Sequence, residues 1–202
     1  MKRQRTRMFP TRRRTARRDG TTGMTLVELL VAIAVMAILA GVVVSRFQSN
    51  VREGLMGTAR IVVADLDRAR ELAVSGGSTY RITFDLDANA YWLEHTGANA
   101  SLDPLPPAPW GTFNATGTRW TQRLDAIPQI GLPIRLHAVR RGTGGASSVN
   151  SVEFGPLGET TEPEPTVVWL ASGQGTACRY LSISINPVTG ITSIGDFRAA
   201  PP

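Results

Sequence analysis

The chain has few of the residues on which most catalytic and metal-binding sites depend. Its 202 residues include one cysteine, Cys178, one lysine, Lys2, and two histidines, His95 and His137. A single cysteine excludes an internal disulfide, and with these two histidines it makes no zinc site of standard spacing. A phosphate-binding P-loop needs a lysine behind its glycines, and Lys2 lies in no such context. We therefore expect a chain that is not an enzyme, with no cofactor and no metal.

One acidic segment begins like a calcium-binding loop but does not complete it. Asp85–Asn89 offers oxygen atoms at alternate positions, as a hard cation requires. The sixth position of such a loop would be Ala90, where glycine makes the sharp turn, and the twelfth would be Thr96, where a bidentate glutamate is needed. The segment therefore predicts a hairpin turn between two strands.

The positive charge of the chain is concentrated before residue 24. The formal net charge is +6, and the first 23 residues contain nine basic residues and one acidic residue. The remainder contains 13 basic and 15 acidic residues, a net charge of −2. The basic character therefore belongs to the N-terminal segment, which argues against nucleic acid as a partner of the folded part.

A long apolar run follows the basic segment and contains one early acidic residue, Glu28. The run from Met24 to Val44 is about 21 residues long, enough for a helix to cross a hydrocarbon core of about 30 Å. The basic residues before it predict a cytoplasmic N-terminal end, so that the rest of the chain faces outward. A carboxylate at membrane depth costs roughly 2.5–3.5 kcal/mol on insertion scales, so Glu28 needs a partner. We expect that partner on a neighbouring subunit.

Three other interpretations of the N-terminus stay open. They are an ordinary secretory signal, a twin-arginine signal, and an unprocessed membrane anchor in which Glu28 is accidental. The apolar run is longer than a typical signal core, and it continues into an amphipathic pattern. The A-x-A sequence Ala32–Ala34 lies in the middle of the run, where a signal cleavage site would not be expected.

The pattern after the apolar run predicts an α+β fold, with one long N-terminal helix packed on an antiparallel β-sheet domain. The segment 24–45 is the expected transmembrane helix, and apolar residues at spacings of three and four continue it as an amphipathic helix over 46–77. The charged residues of that segment, Asp65 among them, are predicted on its polar face. Short alternating segments with turn residues predict a β-rich domain over 78–202.

The sequence around the start of the apolar run resembles the prepilin leader of type IV pilins and type II secretion pseudopilins. In that family a basic leader ends in glycine, the next residue becomes the methylated N-terminus, and a glutamate is the fifth residue of the mature chain. Gly23, Met24 and Glu28 match these positions, with Met24 in place of the commoner phenylalanine. The resemblance implies removal of residues 1–23, N-methylation of Met24, and pairing of the new amine with Glu28 of an adjacent helix.

The order of the later segments resembles the GspH/FimT family of minor pseudopilins and minor pilins. The segments that match are Tyr80–Asp85, Val152–Gly158 and Arg179–Ile185. The resemblance implies a structural subunit at or near the tip of a periplasmic fibre, anchored in the inner membrane by a single pass with its C-terminal domain in the periplasm. The implied partners are other pseudopilins or pilins, the prepilin peptidase and N-methyltransferase, and the inner-membrane assembly platform.

Two of the four tryptophans lie in a region rich in proline and glycine. This region, 98–131, predicts an ordered insertion or a long surface loop. Exposed aromatic residues often mark recognition surfaces, so Trp110 and Trp120 are predicted to contact another minor subunit. Trp92 and Trp169 lie in predicted strands, where we expect core or hairpin packing.

These observations lead to the expectation of a minor pseudopilin of a type II secretion system, which helps to initiate pseudopilus assembly and protein export. One alternative is a FimT-like minor pilin of a type IV pilus, used in DNA uptake or pilus biogenesis. The tail after Gly195 offers Arg198 as its one basic residue, which predicts weak DNA binding. Another alternative is an exported enzyme on a membrane anchor, with activity that depends on His95 or His137.

Overall fold

The computed structural model describes residues 25–108, 111–127, 134–142 and 147–200, without the side chains of residues 40–50. The chain divides into two compact units, Met1–Val42 and Val43–Pro202. The expected leader 1–23 lies outside the described residues. Over the part of the chain that is described, no helix has both the length and the hydropathy needed for a membrane span.

The helix, α1, spans Leu26–Gly76 and contains 51 residues. It ends in a Schellman motif, in which Gly77 N–H donates to the carbonyl of Val74 at 3.3 Å and Ser78 N–H donates to the carbonyl of Ala73 at 3.1 Å. Gly77 has a φ of +55°, in the left-handed region where a side chain is disfavoured. Gly76 and Gly77 therefore end the helix, where the predicted helical segment 46–77 also ends.

Within the part of the chain that the structure describes, ten strands follow the helix, two of them inside the predicted insertion 98–131. They are β1 (Tyr80–Asp85), β2 (Ala90–His95), β3 (Thr112–Phe113), β4 (Arg119–Arg123), β5 (Ile134–Arg141), β6 (Ser147–Ser148), β7 (Ser151–Phe154), β8 (Thr166–Ser172), β9 (Arg179–Ile185) and β10 (Thr192–Arg198).

The strands form two five-stranded sheets. The first has the order β3-β4-β2-β1-β7 and the second has the order β10-β9-β8-β5-β6. All strand pairs within both sheets are antiparallel. One long helix on antiparallel sheets confirms the predicted α+β class, while the division into two sheets goes beyond what the pattern predicts.

The core lies between the second half of α1 and the inner faces of both sheets. The helix contributes six side chains with no exposed surface, at spacings of three and four, namely Leu55, Ala59, Val62, Leu66, Ala69 and Ala73. They form one apolar cluster with residues of both sheets, such as Ile82, Leu93, Leu170 and Ile183. The predicted amphipathic stripe is therefore the core face of the helix.

The turn between β1 and β2 is the predicted hairpin turn. Asp85 Oδ1 accepts a hydrogen bond from Ala88 N–H at 2.9 Å, and Asp85 pairs with Ala90 across the hairpin. Asn89 has a φ of +50°, and its side-chain amide bonds to the backbone of β5 at Ile134 and Leu136. This side chain ties the hairpin of the first sheet to the second sheet.

Candidate functional site

The first turn of α1 places one carboxylate at the start of an apolar helix. The side-chain oxygen of Thr25 accepts a hydrogen bond from Glu28 N–H at 3.2 Å. This is N-cap geometry with a glutamate three residues later, which is the capping-box pattern. A negative side chain in the first turn also interacts favourably with the helix dipole. The local sequence therefore fixes Glu28 in the first turn of the helix.

The side chains around Glu28 are apolar and uncovered. Ten large apolar side chains between Leu26 and Leu39 are exposed, with Leu26 at 74% and Met36 at 70%. In the sequence, Glu28 is the one charged residue between Asp19 and Arg46. A helix that is apolar on every side requires an apolar environment, either other helices or lipid. This segment is therefore a surface that binding or insertion would bury.

The remaining predicted processing residues fall outside the part of the chain that the structure describes. Gly23 and Met24 precede Thr25, the first described residue. Cleavage after Gly23, methylation of Met24 and pairing of an amine with Glu28 therefore stay predictions.

The predicted partner contact through Trp120 is wrong for the folded subunit. Trp120 lies on β4, which pairs with β2, and its side chain is 1% exposed. Its ring packs edge-on against Tyr91, with centroids 6.2 Å apart. The insertion contains a strand that alternates buried and exposed residues, so its aromatic side chain points into the core. Trp110 lies outside the described residues, and its contact stays a prediction.

Three polar side chains form a hydrogen-bonded chain that the sequence did not predict. Ser78 Oγ lies 2.7 Å from His95 Nε2, and His95 Nδ1 lies 2.7 Å from Asp103 Oδ1. The order serine, histidine and aspartate is that of a hydrolytic triad. The three residues come from the end of the helix, the end of β2 and the residue after the 3-10 helix Ala100–Leu102.

Burial and close packing favour a structural role for this chain of hydrogen bonds. The side chain of His95 has no exposed surface, and the Tyr80 ring lies 4.9 Å from it. A Cβ on Gly97 would lie 1.9 Å from Ser78 Oγ, so the backbone of Gly97 lies against the hydroxyl group. A nucleophile needs room for substrate and donors for the oxyanion beside it. The arrangement instead fastens the Asp103 segment to the end of the helix.

The second histidine lies in a separate small cluster on the outer face of the second sheet. The His137 ring packs edge-on against Tyr180 with centroids 4.9 Å apart, and burial followed by the charges of Arg135 and Arg140 lowers the pKa of His137. Cys178 is buried beside Tyr180. Among the described residues, no three His, Cys, Asp or Glu side chains are grouped so that they could hold a metal ion.

A buried carboxylate joins the helix to the first sheet. Asp65 is 2% exposed and Tyr91 has no exposed surface, and the Tyr91 hydroxyl donates a short hydrogen bond to Asp65 Oδ2. Burial, and then the negative charge of Asp65, raise the pKa of Tyr91 well above its ordinary value. The sequence predicts Asp65 on the polar face of the helix, and the structure places it in the core because Tyr91 supplies a donor there.

Solved structures with some similarity to this chain come from two bacteria. The type IV minor pilin FimU of Pseudomonas aeruginosa is 18% identical, over 72% of this chain and 90% of FimU, with a TM-score of 0.44. The minor pseudopilin EpsH from the Type 2 Secretion System of Vibrio cholerae is 15% identical, over 70% of this chain and 95% of EpsH, with a TM-score of 0.42. A search of curated proteins gives no match.

The N-terminal segment matches a family model. The match covers residues 19–44, and the family is described as the prokaryotic N-terminal methylation motif. These residues include Gly23, Met24 and Glu28, so the match confirms the prediction of a prepilin-type N-terminus from those three positions. Residues 19–44 therefore carry the prokaryotic N-terminal methylation motif.

Proposed function

We propose that the chain is a minor pseudopilin of a type II secretion system, a structural subunit at or near the tip of a periplasmic fibre. The observation that carries the proposal is the N-terminal methylation motif at residues 19–44, with a glutamate in the first turn of an uncovered apolar helix. A prepilin peptidase and N-methyltransferase act on the motif, and residues 1–23 are removed. The chain stays in the inner membrane until the assembly platform transfers it to the fibre.

The role of Glu28 follows from electrostatics. Cleavage after Gly23 creates an α-amino group at Met24, and a cation of that kind compensates a carboxylate in an apolar environment. Met24 precedes Glu28 by four positions in the sequence, so a neighbouring helix that is shifted along its axis can bring its own amine to Glu28. Pairing between subunits then favours one stagger of the helices over the others.

The proposal is tested with Glu28→Ala in the full-length protein and its native host. Cleavage should stay intact, while the fraction recovered with fibres isolated from the periplasm should fall more than about tenfold, because an amine is left unpaired in an apolar environment. Glu28→Asp keeps the carboxylate and should retain most of the incorporation. A mature N-terminus other than Met24, or normal incorporation of Glu28→Ala, would contradict the proposal.

The machine is identified by deleting the chain in its host. Loss of protein export with normal pili supports the type II secretion system. Loss of pili or of DNA uptake with normal export supports the FimT-like minor pilin of a type IV pilus.

One observation favours that second candidate. Arg135 on β5 pairs with Ala171 on β8, which pairs with Tyr180 on β9, which pairs with Arg198 on β10. Directly paired residues share a face of a sheet, so Arg135 and Arg198 both lie on the outer face of the second sheet. Arg140 lies on the same face of β5, beyond the β-bulge. The mature chain has a net charge of −2, yet this face concentrates arginines, as a phosphate backbone requires.

DNA binding by this face is measured by gel shift of the full-length mature protein in detergent at physiological salt. If this face binds duplex DNA, Arg135→Gln with Arg198→Gln should reduce the slope of log affinity against log salt by about 0.9 for each phosphate that the protein no longer neutralises. Arg123→Gln is the control, because Arg123 is exposed on the first sheet and paired with Asp125. No binding by the unmodified protein would exclude DNA binding as the role of this face.

A further inference from the structure

One flank of the folded domain is formed by α1 and the edge strand β10, which run side by side. At one end, Thr192 Oγ1 donates to Asp67 Oδ1 at 3.0 Å. At the other end, the guanidinium of Arg52 lies 5.6 Å from the centroid of the Phe197 ring. The strand therefore follows the helix from residue 67 back to residue 52, about 22 Å at 1.5 Å per residue.

One end of this flank carries an exposed apolar surface on two adjacent turns. Leu157 is 86% exposed and Val188 is 79% exposed, and these are the most exposed of the large apolar side chains that the structure describes. Val74 of the helix is 48% exposed and lies beside the Leu157 turn. We call Val74, Leu157 and Val188 the apolar turn patch. Glu71 is exposed one helical turn before Val74, so a carboxylate borders the patch.

The two turns are held together by hydrogen bonds. Arg70 Nε donates to the carbonyls of Gly158 at 3.1 Å and Thr189 at 2.8 Å. Thr160 N–H donates to the carbonyl of Pro187 at 2.8 Å. Exposed apolar side chains on fixed turns lose little conformational entropy when a partner covers them. The patch is therefore organised for contact before any partner arrives.

The other end of the flank contains a recess. A cavity of about 390 Å³ is lined by Arg52, Glu53, Met56, Gly57, Arg60 and Phe197, and we call it the β10 groove. A Cβ on Gly57 would meet no atom within 4 Å, so the groove is open above this residue. Met56 and Phe197 supply apolar surface. Two guanidinium groups outnumber the one carboxylate of Glu53, which gives the groove a positive charge.

We propose that the apolar turn patch of one copy docks into the β10 groove of a second copy of this chain. Projecting aliphatic side chains meet a recess with apolar walls, and Glu71 meets Arg52 and Arg60, so shape and charge are both complementary. The two surfaces differ, so the contact is head-to-tail and leaves a free patch and a free groove at the ends. The copies are displaced by about 25 Å, the length of helix between residues 57 and 74.

The inference rests on the proposed function and adds a contact between folded domains to it. It requires at least two neighbouring copies in a fibre. The experiment uses two differently tagged full-length copies in the native host, with Gly57→Cys in one and Val188→Cys in the other. Oxidation should give a disulfide-linked product that carries both tags. The native Cys178 is 4% exposed and does not compete.

A matched control replaces the Val188 variant by Leu86→Cys, an exposed apolar residue in the β1–β2 turn of the other sheet. Because bound copies hold the two thiols at an effective concentration in the millimolar range, the Gly57 and Val188 pair should give about tenfold more product than the control pair. Equal yields, or a product formed only with a different subunit at Gly57, would overturn the proposal.

A charge exchange tests the contact independently. Arg60→Glu in the Gly57→Cys copy should lower the yield about threefold, as expected for loss of an exposed ion pair. Glu71→Arg in the other copy should restore it, because the opposite charges face each other again. An unchanged yield with Arg60→Glu, or no recovery in the exchange, would count against the pairing of Glu71 with Arg60.

The outcome also separates this contact from the proposed function. Absence of the disulfide from copies that are recovered with fibres isolated from the periplasm overturns the contact and leaves the proposed function standing. If the protein is absent from the fibres both with Glu28 and with Glu28→Ala, the proposed function is overturned. A disulfide formed by copies outside the fibres supports the contact alone.

Discussion

The buried pair Asp65 and Tyr91 makes the sharpest stability prediction for this protein. Tyr91→Phe removes the hydroxyl donor from a carboxylate that is 2% exposed, while the aromatic ring keeps its packing. Hydrogen bonds to charged groups contribute about 1.5–3 kcal/mol, and a buried charge that loses a donor has no water to replace it. We therefore expect the free energy of unfolding to fall by about 2–3 kcal/mol, which lowers the melting temperature by about 4–12 °C for a chain of this size.

The assay is urea unfolding of the full-length protein in mild detergent, followed by tryptophan fluorescence, since Trp120 lies against Tyr91. Tyr80→Phe is the matched control. Tyr80 is 3% exposed on the adjacent strand, and its hydroxyl makes no hydrogen bond to a residue that the structure describes. We expect the control to lose less than about 1 kcal/mol. Equal losses in the two variants would refute the argument that the Asp65 hydrogen bond stabilises the helix on the sheet.

The same pair predicts how stability changes at alkaline pH. Burial, and then Asp65, raise the pKa of Tyr91 above the ordinary 10.0, so the folded state keeps a proton that the unfolded chain loses. The contribution is complete below pH 10 and is lost as the pH rises toward the folded pKa, by up to about 1.4 kcal/mol per pH unit. Unfolding curves between pH 9 and pH 11 should therefore show a shallower decline for Tyr91→Phe. Parallel curves would mean that Tyr91 titrates normally.

Two further predictions concern packing at turns and at the hydrogen-bonded chain. Gly190 has a φ of +63°, and a Cβ there would lie 2.0 Å from the Gly158 carbonyl, so Gly190→Ala should cost more than about 2 kcal/mol in urea unfolding. Gly117→Ala, with a φ of +69° and no atom within 4 Å, should cost about 1 kcal/mol. Ser78→Ala should lower the free energy of unfolding by about 1 kcal/mol. A fluorophosphonate probe should label neither the unmodified protein nor this variant. Labelling of the unmodified protein that disappears in the variant would identify Ser78 as a nucleophile.

Elements that depend on local sequence are predicted well. The spacing of Leu55, Ala59, Val62 and Leu66 fixes the core face of the helix, because helical periodicity alone decides which side chains share a face. The stop at Gly77 follows from its left-handed conformation. Strands such as β9 follow from alternation of apolar and polar residues, which is likewise a property of neighbours in sequence.

Features that depend on distant partners are not predicted. Trp120 lies between glycine-rich and proline-rich stretches that indicate a loop, and its burial follows from the pairing of β4 with β2. Asp65 looks like one more charge on a polar helix face until Tyr91 is placed opposite it. The contact of His95 with Ser78 spans 17 positions in the chain, and no periodicity links the two residues. In each case the position of the side chain is determined by a contact with a residue that is distant in the sequence.

Net charge illustrates why composition is a weak guide to partners. Residues 24–202 have a net charge of −2, yet Arg135 and Arg198 share one face of the second sheet. Other arginines are paired with acids, as Arg81 is with Glu153. At physiological ionic strength, charges interact over about 8 Å, so a partner responds to the local face and not to the sum. The two candidate functions, a pseudopilin and a DNA-binding minor pilin, therefore differ in which face of the domain contacts the partner. Substitutions confined to one face will distinguish the two functions, whereas the net charge does not.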